Sequence, residues 1–309
     1  FEPVTVCASS RQFENASVQL VHPQIRVVEL NQNDAWMRDN GTTFLINGHG
    51  DLRGVDWRYN AYGGEYNGLY SPWDLDDQVA HKMLSMELCD RYRTDGFVAE
   101  GGNIHTDGEG TLMVCEEVFL NPGRNPHLTK VQMEQYLKDY TNVEKVLWVP
   151  RGIYQDETCG HIDNMAFFIR PAEVVLAWPD DKSDPQYERS EQALAYLTSE
   201  KDARGRSITV YKLPLPAPMY TTEEDIQGID KAETAKDRKV GDRLAASYIN
   251  CYTCNGAIIL PAYDDPNDDV AAGVLQDLLP AHKVVQVESR EILLGGGNIH
   301  CITQQQPKP

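Results

Sequence analysis

Basic residues are scarce in this chain: 28 lysines and arginines stand against 47 aspartates and glutamates, a net charge of −19 over 309 residues. That balance excludes a general nucleic-acid or anionic-lipid surface, which needs clustered cations. Long apolar runs are also missing; none approaches the ~20 residues of a membrane span, and a signal peptide is not expected. The chain does not begin with Met, which reads as a trimmed or truncated product. Cysteines are few, odd in number and scattered, at Cys7, Cys89, Cys115, Cys159, Cys251, Cys254 and Cys301. They make no disulfide framework and read as reduced thiols in a cytoplasmic compartment. The glycosylation triplets Asn15-Ala-Ser and Asn40-Gly-Thr are short enough to arise by chance. No Pro/Gly/Ser linker or charge block divides the chain, so residues 1–309 read as a single domain.

What remains is an ordinary globular composition, 41% hydrophobic and 24% charged. Its acidic field suits a cationic small molecule, which such a field concentrates at the mouth of a site. Along the chain, short β-type runs alternate with helices of ~3.6-residue apolar spacing. A strand over 42–46 precedes a helix near 76–89 and a strand near 96–99. A strand over 111–115 leads to a helix over 130–140 and a strand over 145–149. Strands over 162–169 and 173–178 lead to a helix over 186–198 and a strand over 208–213. Strands over 247–252 and 257–260 lead to a helix over 268–279 and a strand over 284–287. Pieces of a fifth unit lie at the two ends: an opening strand over 298–303, a helix over 10–20 and a closing strand over 26–30. The expected architecture is α/β, a ring of five strand-strand-helix-strand units, the first incomplete at its N-terminus. The acidic stretch 221–239 reads as a surface insertion between units.

Self-similarity supports the ring. Gly101-Gly-Asn-Ile-His-Thr106 recurs as Gly296-Gly-Asn-Ile-His-Cys301, and Asp39-Asn40 recurs as Asp163-Asn164. Asp39, Glu100 and His161 fall 61 residues apart, and Cys301 follows 140 residues later. Pseudo-symmetric rings bring matching ends of their repeats around one centre, so these residues are expected to meet. Cys301 follows a Gly-rich turn, where close backbone approach exposes the sulfur to a substrate. Its thiolate is the expected nucleophile. His161 is the acid/base candidate; on a strand it shares a face with Asp163, two residues on. Asp39, Glu100 and Glu157 are more carboxylates than a Cys–His–Asp triad requires, and together they imply a bound cation. A guanidinium is planar, offers five donors and stays charged, so carboxylates hold it bidentately. In the expected chemistry Asp39 and Asp163 clamp the guanidinium while Cys301 attacks its carbon. His161 protonates departing ammonia and then activates water. Nothing in that scheme calls for a metal or cofactor.

Singly, each of these residues has an ordinary structural reading. Cys301 reads as a buried strand cysteine, His161 as a satisfied histidine, and Asp39 and Asp163 as turn formers before Asn. Glu100 and Glu157 read as surface acids and Trp36 as core. Cys251-Tyr-Thr-Cys254 has redox spacing but no following helix to lower a thiol pKa, so two inert cysteines are expected. His105 and His300 repeat each other, which favours a structural pair.

Together the motifs are specific. Trp36-Met-Arg-Asp39-Asn-Gly, Glu100-Gly-Gly-Asn, Arg151-Gly…Asp156-Glu157…Gly160-His161-Ile-Asp163-Asn and Gly295-Gly-Gly-Asn-Ile-His-Cys301 resemble the agmatine deiminases, guanidine-modifying enzymes of the pentein fold. Plant-type members look nearest, through residues 1–9, Asp184-Pro-Gln-Tyr-Glu-Arg-Ser190 and Ile302-Thr-Gln-Gln-Gln-Pro307. The resemblance implies a pentein-type α/β propeller of five pseudo-symmetric ββαβ repeats around a central active site. It implies hydrolysis of agmatine to N-carbamoylputrescine and ammonia, a step toward putrescine, by a cytoplasmic homodimer. It also implies Cys301 as nucleophile, His161 as acid/base, Asp39 and Asp163 on the guanidinium, and Trp36, Glu100 and Glu157 lining the pocket. Three departures stand out. The family's usual upstream segment is not in this sequence, Tyr62 stands where Trp is frequent, and Cys159 stands where Asn is common. The two substitutions are expected to tune the pocket. An arginine or peptidyl-arginine deiminase is the enzymatic alternative, and would require an Arg at the far end of the pocket. The pair Asp156-Glu157 suits the terminal amine of agmatine better. A non-catalytic scaffold is the alternative from another class.

Overall fold

The computed structural model describes residues 1–229 and 232–308. One connection recurs in every sheet. β1 (Val4–Ala8) pairs in parallel with β2 (Ile25–Glu29) across the helix Phe13–Gln19. In the next unit β4 (Leu52–Arg58) lies between antiparallel β3 (Thr43–Ile46) and parallel β5 (Asp90–Val98), with the helix Val79–Met86 crossing between β4 and β5. The same order holds for β6 (His105–Thr106), β7 (Thr111–Cys115) and β8 (Lys145–Val149) around the helix Lys130–Thr141. It holds for β9 (Ala166–Arg170), β10 (Glu173–Trp178) and β11 (Thr209–Pro214) around Pro185–Ser199. It holds again for β12 (Tyr252–Cys254), β13 (Ala257–Ala262) and β14 (Lys283–Glu288) around Asn267–Leu278. The ββαβ repeat of an α/β pentein fold is therefore present, and the two ends of the chain meet. The Tyr252 hydroxyl donates to Glu2 at 2.8 Å, and the Arg38 N–H donates to the Cys301 carbonyl at 3.0 Å.

The crossover helices follow from local chemistry. Thr129 and Gln132 form a reciprocal capping box at the start of Lys130–Thr141, and Asn142 ends that helix in the left-handed region at φ 57°. Asp184 caps Pro185–Ser199, accepting from the Gln186 N–H at 2.8 Å, with Pro at the first position. The buried face of that helix, Gln186, Ser190, Ala193 and Leu197, has helical spacing and lies over β10, whose four central residues are buried. β7 is buried at all five positions, as expected of a strand covered on both faces. Truncating Leu197 to Ala is expected to cost about 2–5 kcal/mol.

Three expected strands begin later or are absent. Residues 162–165 form a one-turn helix, Ile162–Met165, so β9 starts only at Ala166. Residues 247–250 turn before β12, and 299–302 form a turn rather than an opening strand. Side chains that bond nearby backbone N–H groups compete with the sheet there. Ser247 Oγ accepts from the Ile249 N–H at 3.2 Å and Asn298 Oδ1 from the Ile299 N–H at 2.8 Å. β4 and the first half of β5 are strands that apolar patterning passes over, because they carry charge. Asp56, fully buried on β4, is held by Arg91 at 2.5 Å and by Arg93, both on β5.

Candidate active site

The turns that precede the first strands converge at the centre of the ring, and each delivers a polar side chain. Met37–Asn40 carries Asp39, and Gly101–Asn103 follows Glu100 directly. Ile162–Met165 carries Asp163, with His161 as its N-terminal flank. The turn at 247–250 carries Asn250, and the one at 299–302 carries Cys301. Gly102 marks where three of them meet. A Cβ there would lie 2.5 Å from His161 Nδ1, 2.6 Å from Asp39 Oδ1 and 3.1 Å from Asp163 Oδ2, so only glycine fits. His161 and Asp163 thus share one centre through a helical turn, not through a strand.

Cys301 is 5% exposed. Its Sγ accepts from Asn250 Nδ2 at 3.2 Å and donates to Asp163 Oδ2 at 3.5 Å. His300 Nδ1 donates to the same Asp163 oxygen at 2.8 Å. Burial, then the charges of Asp163 and Asp39, push the thiol well above its ordinary pKa. The buried ring of His161 has Nδ1 3.5 Å from Asp39 and Nε2 3.9 Å from Glu100. Burial opposes its charge, but Asp39, Glu100 and Asp163 together outweigh burial and raise it to about 9. Asp39 is raised to about 6, by burial first and then by Asp163 and Glu100. Burial also raises Asp163. Burial works against the Glu100 carboxylate, yet Arg124 and His161 hold it below its usual value. Arg124 Nε donates to Glu100 at 2.7 Å, both side chains being 0% exposed. At neutral pH the centre therefore holds a thiol, an imidazolium and carboxylates.

Above this centre lies a cavity of about 810 Å³. Trp36, Asp39, Glu157, His161 and Cys301 line it; Glu100 and Asp163 stand one layer behind. Asp163 instead borders a smaller cavity on the opposite side, with Arg38, His105 and His300. Trp36 lies on the glycine run: a Cβ at Gly297 would meet its ring at 2.6 Å and Cys301 Sγ at 3.0 Å. The pair Asp156-Glu157 does not act as a unit. Asp156 is turned inward, accepting from the Thr158 N–H and hydroxyl at 2.9 and 2.7 Å and from Asn164 at 2.9 Å. Glu157 alone faces the cavity.

Several contributors carry no motif of their own. Asn250 lies in a run that reads as strand and Arg124 in one that reads as ordinary loop, and only their partners reveal them. His300 differs from its repeat mate: His105 accepts weakly from the Phe168 N–H at 3.4 Å and lies beside Phe167 and Phe168, whereas His300 holds Asp163. Tyr62 is 2% exposed and its hydroxyl donates to Asp39 Oδ2 at 2.9 Å. Cys159, at φ 74°, receives weak bonds from Asn121 and Arg124. Cys251 and Cys254 are buried free thiols, Cys251 pushed up to about 12 by burial. The described parts of the acidic stretch, 221–229 and 232–239, cover the cavity. The helix Glu223–Gly228 and residues 232 and 235–238 form the upper wall, tied to the ring by Lys236 N–H to Leu69 O at 2.8 Å.

The family described as Porphyromonas-type peptidyl-arginine deiminase matches residues 1–307. The chain is 54% identical to the agmatine deiminase of Ectopseudomonas mendocina (strain ymp) and 55% identical to that of Pseudomonas aeruginosa (strain LESB58). Each alignment spans all of this chain and 84% of the relative. Among solved structures, agmatine deiminase of Enterococcus faecalis superposes with a TM-score of 0.95 at 47% identity, over 100% of this chain and 84% of that one. A cysteine-to-serine variant of the C. jejuni agmatine deiminase with substrate bound superposes with a TM-score of 0.82 at 29% identity, over 98% and 82%.

Proposed function

The chain belongs to the agmatine deiminases of the Porphyromonas-type peptidyl-arginine deiminase family, and on that footing we propose that it hydrolyses agmatine to N-carbamoylputrescine and ammonia, through an amidino adduct on Cys301. The product is a step toward putrescine. One observation carries the assignment of residues. Beside the Cys301 thiol, Asp163 Oδ1 and Glu100 Oε2 are buried carboxylate oxygens without a hydrogen-bond partner among the described residues, and both His161 nitrogens are likewise unpartnered. Buried acceptors in that condition are costly unless a donor arrives. A guanidinium brings five donors and a positive charge.

The chemistry follows from the charges. Entry of the guanidinium among Asp39, Asp163 and Glu100 replaces anionic repulsion of the thiolate with a neighbouring cation, so Cys301 gives up its proton to solvent as the substrate binds. The thiolate attacks the guanidinium carbon, giving a neutral tetrahedral species. The His161 imidazolium protonates one amino group, which leaves as ammonia, and an amidinium thioether remains. The now neutral imidazole takes a proton from water, whose oxygen attacks the same carbon. Collapse forms the ureido carbonyl, expels the Cys301 sulfur as a thiolate and sheds one proton, which ammonia takes up; the thiolate regains its proton from solvent as the product leaves. Glu157, facing the cavity above Cys301, receives the distal ammonium, and Trp36 forms the apolar wall along the butyl chain.

Ammonia release from agmatine, L-arginine and a peptidyl-arginine, measured in parallel with Cys301→Ser, tests the reading. Release from agmatine that the substitution abolishes is the expected result; release from arginine alone would make this a different deiminase, and none from any substrate would favour a scaffold. The seven free thiols support a reducing, cytoplasmic setting, and among the described residues no helix is long and apolar enough to cross a membrane. A homodimer is the expected assembly; a monomer by light scattering at micromolar concentration would refute it.

A further inference from the structure

Glu157 is already engaged. Arg238, from the stretch that covers the cavity, donates through Nη2 to Glu157 Oε2 at 2.7 Å and to the Gly295 carbonyl at 2.7 Å. The two side chains are 19% and 24% exposed, so the pair sits at the mouth rather than in the dry centre. It also lies directly against the glycine run that leads to Cys301. A Cβ on Gly296, whose φ is 107°, would come within 2.8 Å of Glu157 Oε2 and 2.9 Å of Arg238 Nη2. The neighbouring wall is acidic. Asp34, Glu224, Asp237 and Glu291 all line the same cavity, and Arg290, its other arginine, is taken by Asp225 at 2.7 Å.

Resting on the reading that Glu157 receives the distal ammonium of agmatine, we propose that Arg238 is a built-in competitor for that ammonium. It caps Glu157 in the empty cavity and is displaced when a substrate with a terminal cation enters. The exchange is one cation for another on the same carboxylate, so Glu157 stays neutralised before and after binding and does not stand open to unrelated cations between turnovers. The N-carbamoyl product keeps the same ammonium, so the return of Arg238 to Glu157 also helps expel it. A partly exposed ion pair is weak enough for this role, whereas a fully buried one would not exchange.

The proposal singles out substrates that carry a terminal primary ammonium, and the test exploits that. Agmatine is compared with butylguanidine, which lacks the amine, and with putrescine as an inhibitor that lacks the guanidinium. For Arg238→Met the expected result is that KM for agmatine and the inhibition constant of putrescine both fall, about two- to fivefold. KM for butylguanidine stays put. Arg238→Lys, which keeps a charge but loses the fork that grips both Glu157 and Gly295, moves agmatine in the same direction by less. Glu157→Gln is run alongside and raises KM for agmatine while sparing butylguanidine; failure of that arm removes the amine from Glu157 and overturns the proposal at its base. With that arm intact, the proposal is overturned by any of three results for Arg238→Met. These are an unchanged or raised agmatine KM, an equal shift for butylguanidine, or a selective loss of L-arginine turnover, which would make Arg238 a carboxylate receptor. Ammonia release by the unaltered protein is the control that separates all of these from failure of the deiminase reading itself.

Discussion

Beneath the floor of the cavity and at its mouth, a glutamate is paired with an arginine, yet the two pairs have opposite characters. At the floor, Glu100 and Arg124 are both fully buried, and Arg124 is further fixed by the carbonyls of Thr158 and Tyr62. At the mouth, Glu157 and Arg238 retain access to water. A buried pair cannot separate without leaving an unmatched charge in a dry site, so it fixes geometry. A wet pair separates at little cost, so it is free to trade partners. The same two residue types therefore serve as scaffold at one depth and as an exchangeable contact at another.

The sharpest break in that comparison is chemical. Cys301→Ser is expected to lower ammonia release by about a thousandfold or more, because the step that nothing else at the floor supplies is lost. Gly102→Ala comes next: its Cβ would intrude between His161, Asp39 and Asp163, and a misplacement of that size is expected to cost about a hundredfold in kcat. Of the two pairs, Arg124→Met is expected to destabilise the fold by about 3–5 kcal/mol in urea denaturation, and Arg238→Met by no more than about 1 kcal/mol. Equal losses would erase the distinction between floor and mouth.

The pH profile sharpens the floor further. On the proposed mechanism Asp39, raised to about 6, must be ionised to hold a guanidinium, so activity is expected to fall as pH drops through that value. On the same mechanism His161, raised to about 9, must be protonated to release ammonia, so activity is expected to fall as pH rises through that value. A bell for kcat/KM with those limbs is expected. Tyr62→Phe removes a donor that favours ionised Asp39, and so is expected to move the acid limb upward. The smallest effect belongs to Cys159, held in the left-handed region where Asn is better tolerated. Cys159→Asn is expected to change stability by no more than about 1 kcal/mol, measured by thermal unfolding.

Much of the ring was legible because the crossover helices bury regular stripes, as at Ala193 and Leu197, and because β7, β8 and β10 are compact apolar runs. Those strands occupy their expected residues, 111–115, 145–149 and 173–178. The hub was legible in composition but not in conformation. The repeated Gly-Gly-Asn-Ile-His string marks two of the turns that meet at the hub, yet side chains such as Ser247 and Asn298 divert the backbone into turns where periodicity suggests strand. β4 and the first half of β5 were hidden because Asp56, Arg91 and Arg93 neutralise one another only across two strands far apart in sequence. Arg238 and Arg124 escaped notice for the same reason: each matters through a partner 81 or 24 residues away, which no local pattern reveals.

Acid quenching of the enzyme during turnover of agmatine, followed by mass analysis of the peptide that contains Cys301, tests the central claim most directly. An amidino adduct on Cys301, absent without substrate and absent from Cys301→Ser, is the result this account predicts. Turnover with no adduct on that peptide, or with ammonia release preserved in Cys301→Ser, would contradict it.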